Sequence, residues 1–335
     1  MFKRAVLLAT LLTASLFAAD KINGAGASFP APLYYDWAYS YQKATRTQVN
    51  YQAIGSGGGI KQISARTVDF GGSDKPLKPK ELDRKKLLMF PAVIGSIVLA
   101  HNIPGVKDNE LKLANSVVAD IFMGKITFWD DAKIKADNPG VKLPHEKITI
   151  VHRSDGSGTT YNFTYFLSNV SKAWDDSIGT GKAVSWPAGI GGKGNEGVTN
   201  LVKQTPYSIG YIEYAYKMKN NLPAVTLQSA SGKWTEPTEA NFKAAAAYAK
   251  WKASEHFYQL LALQPGDKSY PIVAATFILL PSEKQGMNKN VTALFDYAFN
   301  HGDEAAKKLG YIPLPEETKK MVREYWKTHK ISPAK

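Results

Sequence analysis

The chain has 335 residues, no cysteine, and a formal charge of +13 from 42 Lys and Arg against 29 Asp and Glu. The lack of cysteine excludes a disulfide scaffold, a thiolate metal site and a lipid-modified N-terminal cysteine. The basic balance invites a nucleic-acid reading, but the lysines are scattered, and the longest basic cluster, Arg84-Lys85-Lys86, reads as a solvated helix face; no nucleic-acid partner is expected.

In chain order the first element is an export signal. The cationic start MFKR, the apolar run AVLLATLLTASLF and the small residues Ala18 and Ala19 read as a secretory signal peptide over 1-19. No later segment reaches the roughly 18 to 20 apolar residues of a membrane helix, so the mature protein is expected to be soluble. With Lys3 and Arg4 removed the charge falls to +11, read as solubility and a weak pull on small anions. The remaining chain of about 315 residues suggests two lobes at roughly 150 residues per domain.

Pro30 and Pro32 suit a first helical turn, followed by Leu33/Tyr34, Trp37 and Tyr41 at helical spacing. Val49 to Ile54 alternates at period two and runs into a Gly/Ser turn. Ala92-Val93-Ile94 and Ile97-Val98-Leu99 read as buried strand split by Gly95-Ser96, and Ile148 to Val151 as another strand. Ala244 to Ala247 falls in a helix, and Leu314-Pro315 starts one with Met321, Val322, Tyr325 and Trp326 on one stripe. The repeated order strand, loop, helix predicts an α/β architecture with sheets covered by helices.

Three glycine-hydroxyl turns stand out: Gly24 to Phe29 (GAGASF), Gly55 to Gly59 (GSGGG) and Gly156 to Thr159 (GSGT). Each follows a strand candidate and precedes a helix candidate. A helix N-terminus presents amide donors in one direction, its dipole favours negative charge, and glycine lets an anion approach the backbone. Nucleotide motifs fail. The third glycine of the dinucleotide fingerprint is replaced by Phe29, Ile60 and Tyr161, and Gly181-Lys182 and Gly192-Lys193 lack the rest of a phosphate loop. There is no G-x-S-x-G elbow, and the six histidines show no tight metal-ligand spacing. His152 could act as a general base, though a histidine at a strand end is more often structural.

The charged residues beside the third turn suit an oxyanion. Arg153 offers a planar fork of donors, and Asp155, two residues on, could hold that fork; the plain alternative is a surface ion pair. Asp74, in FGGSD after another strand candidate, would repel an anion and reads equally as a helix cap or turn aspartate.

The stretches INGAGASFPAP, VNYQAIGSGGGIKQI, VDFGGSDKPL, HRSDGSGTTYNFTYFL, GIGGKGNEGV, SIGYIEYAY and ATFILL together resemble the periplasmic phosphate-binding proteins of phosphate ABC transporters, within the two-lobed periplasmic-binding-protein superfamily. The resemblance covers nearly all of the chain after 1-19, in order. It implies two α/β lobes, each a mixed sheet flanked by helices, with hinge strands between and the ligand in the cleft. Lobe 1 would comprise 20-95 and 275-335 and lobe 2 residues 96-274, with Ala275 to Leu280 as a return crossing. Carried over residue by residue, the phosphate contacts would be Ser28, Phe29, Ser56 and Asp74 from the first lobe and Arg153, Ser157, Gly158 and Thr159 from the second, with Asp155 orienting Arg153. Ser28 stands where the family commonly has threonine, and Gly57 and Gly72 replace small residues beside the contacts. No catalytic residue, metal or cofactor is implied. The implied partners are inorganic phosphate and the membrane permease subunits of a transporter with a cytoplasmic ATPase, and the implied state is a monomer in the periplasm.

The resemblance also gives Asp74 a role. An ionised carboxylate, of reference pKa about 3.9, only accepts hydrogen bonds, so it pairs with an oxyanion that carries a proton. Phosphate carries one near neutrality and sulfate does not. The alternatives are a phosphatase or phosphoester-binding protein on the same scaffold, a receptor for another oxyanion such as sulfate or molybdate, and an exported envelope-interaction protein with no ligand.

Overall fold

The computed structural model describes residues 21–333; the expected signal peptide lies outside them. The strands are β1 (Lys21–Gly26), β2 (Gln48–Ala53), β3 (Phe70–Ser73), β4 (Leu87–His101), β5 (Lys112–Leu113), β6 (Thr149–Arg153), β7 (Ile190–Gly192), β8 (Ser208–Glu213), β9 (Thr226–Gln228), β10 (Trp234–Thr235) and β11 (Val273–Pro281). Eight of them form one mixed sheet in the order β2-β1-β3-β11-β4-β8-β6-β7, and β10-β9-β5 form a small second sheet.

The large sheet has two halves that share β4. Leu87 to Ser96 pair antiparallel with β11, whereas Ile97 to His101 pair antiparallel with β8. The partner of β4 therefore changes between Ser96 and Ile97. All fifteen residues of β4 are buried, and the strand runs unbroken through Gly95-Ser96, so the expected split into two pieces is corrected. Gly95 is a close approach rather than a break: a Cβ there would lie 2.7 Å from the Phe29 ring and 3.1 Å from that of Tyr311.

The register of β4 on β11 slips at Thr276/Phe277, where Thr276 faces Val93 but Phe277 faces Pro91. Pro91 has no N–H to give to the ladder, and such an irregularity is where a proline is tolerated inside a sheet.

The aromatic stripes read from sequence are core. Leu33, Tyr34, Trp37 and Tyr41 are the buried face of the helix Ala31–Thr45, and Val322, Tyr325 and Trp326 that of Glu316–Thr328. Around the first half-sheet, Phe295, from the helix Gln285–His301, meets the rings of Tyr34, Trp37, Phe70 and Phe90 at centroid distances of 5.8, 6.5, 5.5 and 5.8 Å. Phe90 in turn meets Trp326 at 5.1 Å. These edge-to-face contacts fasten the C-terminal helices to strands formed early in the chain. The second half-sheet has its own cluster, in which Phe163 stacks on Tyr211 at 4.4 Å and meets Phe122 at 4.8 Å. Arg84 is exposed and Lys85 half-buried in the last turn of the short helix Pro79–Lys85, and Lys86, just after it, is exposed.

Phe295→Ala removes the ring shared by four others and should lower the stability of the first half by about 3–5 kcal/mol, read as an earlier denaturant transition by tryptophan fluorescence. An unchanged transition would show that the cluster does not hold the C-terminal helices.

Candidate functional site

All three glycine-hydroxyl turns lie at ends of sheet strands and reach one cleft between the halves. The first leaves β1 and enters the helix Ala31–Thr45. The second is the first turn of the helix Gly55–Ser64. In the third, Ser157 caps the helix Gly158–Val170, its hydroxyl oxygen accepting the Thr160 N–H at 2.9 Å. The first-turn N–H groups of Gly158 and Thr159 take no partner within their own helix, because no carbonyl lies four residues before them in helical geometry.

Ser28 and Phe29 are held by their carbonyls. Tyr216, from the second half, donates to Ser28 O at 2.7 Å, and Tyr311 donates to Phe29 O at 2.6 Å. In a trans peptide C=O and N–H point in opposite directions, so the Tyr216 bond aims the Phe29 N–H away from Tyr216.

Arg153, at the end of β6, is 4% exposed, yet its charge is matched. Its Nε and Nη2 donate to the two oxygens of Asp155 at 2.7 and 2.6 Å, and Nη1 donates to Thr159 Oγ1 at 3.2 Å. Two of the five guanidinium N–H donors remain for another acceptor. Burial raises the Asp155 carboxyl, but the hydrogen bonds and charge of Arg153 outweigh it and hold the group below the ordinary carboxylate range. Asp155 Oδ1 also accepts the Gly194 N–H at 3.0 Å. The plain surface ion pair is thereby set aside.

Asp74 is not a helix cap; the next helix starts at Pro79 behind Lys78. It is 2% exposed, with Oδ1 accepting from Thr276 at 2.8 Å and Oδ2 facing the Ser56 hydroxyl at 3.5 Å. Ser56 Oγ accepts the Asp74 N–H at 3.1 Å, and Asn162 Nδ2 donates to the Asp74 carbonyl at 2.8 Å. Burial pushes the carboxyl up to about 7, against the pull of the Thr276 hydroxyl, the Arg153 charge and the Ser56 hydroxyl. The sequence expectation used a free carboxyl of about 3.9; desolvation moves the group into the neutral range.

The halves touch across the cleft. Gly57 N–H donates to Gly156 O at 2.7 Å, and a Cβ on Gly158 would strike Ser56 Oγ and lie 2.7 Å from the Asp74 Cβ. The cluster thus brings together Ser28, Phe29, Ser56, Asp74, Arg153, Asp155, Ser157, Gly158 and Thr159. His152 stays apart: it stacks on Trp186 at 5.0 Å and its Nδ1 lies 3.1 Å from Arg153 O, with burial lowering its pKa. Among the described residues no group of three or more His, Asp and Glu is disposed to hold a metal. No described helix is long and apolar enough to cross a membrane.

Five residues of the cluster drew no functional reading from the sequence: Thr276, Asn195, Tyr216, Asn162 and Tyr311. The first four sit inside stretches that carried the resemblance, ATFILL, GIGGKGNEGV, SIGYIEYAY and HRSDGSGTTYNFTYFL, which was the available signal.

Two half-sheets sharing one strand, with helix N-termini facing each other over a buried polar cleft, define the two-lobed binding-protein fold. A model of the PBP superfamily domain matches residues 13–301. The chain is 48% identical to the phosphate-binding protein PstS of Haemophilus influenzae, over 98% of this chain and 99% of that one. It is 38% identical to PstS of Methanocaldococcus jannaschii, over 90% of this chain and 84% of that one. A solved structure of the periplasmic phosphate-binding protein PfluDING, bound with phosphate, shares the fold with a TM-score of 0.70 at 20% identity, over 91% of this chain and 93% of that one. The chain belongs to the PBP superfamily and, within it, to the PstS phosphate-binding proteins.

Gly158→Ala places a methyl against Ser56 and Asp74 and should keep the halves from meeting. Small-angle scattering with saturating anion should show the wild type more compact than this variant; identical profiles would remove the close approach as a requirement.

Proposed function

We propose that the protein binds inorganic phosphate outside the inner membrane, in the periplasm, and delivers it to the permease subunits of a phosphate ABC transporter driven by a cytoplasmic ATPase. The observation that carries this reading is the composition of the cleft: a ring of donors around one buried acceptor, Asp74. Ser28, Phe29 and Ser56 supply donors from one half, and Arg153, Ser157, Gly158 and Thr159 from the other, with Asp155 orienting the guanidinium. Such a set suits a tetrahedral anion rich in acceptors that brings one proton of its own. The names of the PstS relatives support the same ligand.

The lobes of the proposed receptor are 20-95 with 275-335, and 96-274, acting as a monomer whose closed, ligand-bound form is the one the permease meets. It is no enzyme in this reading. His152 faces Trp186 and stays apart from the clustered hydroxyls, and the carboxylate beside them, Asp74, is read as the ligand's acceptor. Hydrolysis of a chromogenic phosphate ester by the purified protein would favour the phosphatase alternative instead.

Asp74 makes the ligand choice depend on pH. Its carboxyl lies at about 7, so lowering the pH through that value protonates it. A protonated carboxyl donates, and sulfate, which has no proton to offer, then gains a partner instead of a repulsion. Calorimetric titration of protein unfolded and refolded to strip carried-over ligand should show one tight phosphate site and, near pH 8, sulfate binding at least about 100-fold weaker. Sulfate affinity should rise about tenfold or more between roughly pH 8 and pH 5.5. In Asp74→Asn it should be higher at the start and nearly flat with pH. Equal phosphate-over-sulfate selectivity in wild type and variant would remove Asp74 as the selector, and no phosphate heat at any pH would remove the receptor reading.

A further inference from the structure

The Ser28 and Thr159 hydroxyls share a neighbour that has no assigned part in the site. Asn195 is fully buried in the first turn of the helix Gly194–Gln204, which belongs to the second half of the molecule. Its backbone N–H and its Nδ2 both donate to Ser28 Oγ, each at 3.0 Å, across the cleft. The same Nδ2 donates to Thr159 Oγ1 at 3.2 Å. Its Oδ1 accepts the Glu213 N–H at 2.9 Å. That last contact fixes which way the amide faces: a backbone donor demands the oxygen, so the NH2 must face the hydroxyls. The Glu213 N–H belongs to the end of β8, paired in register with Ile97, and the Glu213 carboxylate accepts the Ala215 N–H at 2.7 Å.

A hydroxyl has two lone pairs and one proton. On Ser28 both lone pairs are taken by Asn195. On Thr159 one is taken by Asn195 and the other by Arg153 Nη1 at 3.2 Å. The capacity left to each is donation. We propose that Asn195 is a positioning residue which, by occupying the acceptor side of Ser28 and Thr159, commits one hydroxyl from each half to donate into the cleft.

The proposal rests on the phosphate reading above and deepens it. Without Asn195 each hydroxyl can rotate and present a lone pair to the anion, and the two halves lose a shared partner. A packing role alone would give Asn195 the same contacts but no dependence on the two hydroxyls. The distinction is measurable because coupling between side chains is isolated by comparing one substitution in two backgrounds.

Phosphate affinity is to be measured by calorimetry for the full protein as wild type, Asn195→Ala, Ser28→Ala/Thr159→Val, and the triple variant. Asn195→Ala should weaken phosphate about 30-fold in the wild-type background and less than about twofold in the background that lacks both hydroxyls. Equal loss in both backgrounds overturns the proposal and leaves Asn195 as a packing contact. Should Asn195→Ala fail to fold, Asn195→Asp takes its place. It keeps the oxygen for Glu213 but turns the donor into an acceptor that draws the Ser28 and Thr159 protons away from the anion, so its loss should again be larger where the two hydroxyls are present. A ratio near one again overturns the proposal. Failure of the phosphate reading looks different, because the wild type then gives no phosphate heat.

Discussion

A guanidinium with almost no access to water is the constraint around which the cleft is built. A buried charge is tolerated only if it is paired and hydrogen-bonded. Arg153 meets that demand through a two-pronged pair with Asp155 and a bond to Thr159, both within six residues along the chain. This explains why the turn after β6 is so crowded with function. The strand end, the orienting carboxylate, the helix cap and the first helical turn must follow each other without a spacer. Asp155 then reaches the Gly194 N–H, so the same ion pair also touches the start of the helix Gly194–Gln204.

The other half solves the opposite problem, a buried negative group with no cation in direct contact. Asp74 is held by hydroxyls, and burial brings its carboxyl to about 7. Its main partner, Thr276, stands at the register slip of β11 against β4, opposite the stretch that contains Pro91. Irregularities of that kind redirect a side chain. A hydroxyl 202 residues from Asp74 in sequence thus reaches its carboxylate from the irregular point of the strand.

Local patterns in the sequence revealed much of this and stopped where burial and long-range pairing took over. The helical stripe at Leu33, Tyr34, Trp37 and Tyr41, the alternation from Val49 and the second and third glycine-hydroxyl turns are short-range signals that sit in the elements they suggested, whereas Gly24 to Gly26 of the first turn are still strand β1. The fold and the broad placement of the cluster followed from them and from the family resemblance. The continuity of β4 through Gly95-Ser96 was not legible, because glycine there serves the Phe29 and Tyr311 rings rather than a turn. Nor was the behaviour of Asp74, whose carboxyl moves from the ordinary range to about 7 through burial among distant residues. Asn195 and Tyr216 carry no local pattern that marks them. Their partner, Ser28, is more than 160 positions away.

The sharing of β4 has a mechanical meaning. A single fifteen-residue strand is bonded to β11 along its first part and to β8 along the rest. A ribbon fixed in this way can twist and bend but has no slack with which to lengthen. The junction at Ser96–Ile97 therefore ties the two halves at a fixed offset along the strand, and the glycine faces of Gly57 and Gly156 meet in the register that this shared strand sets.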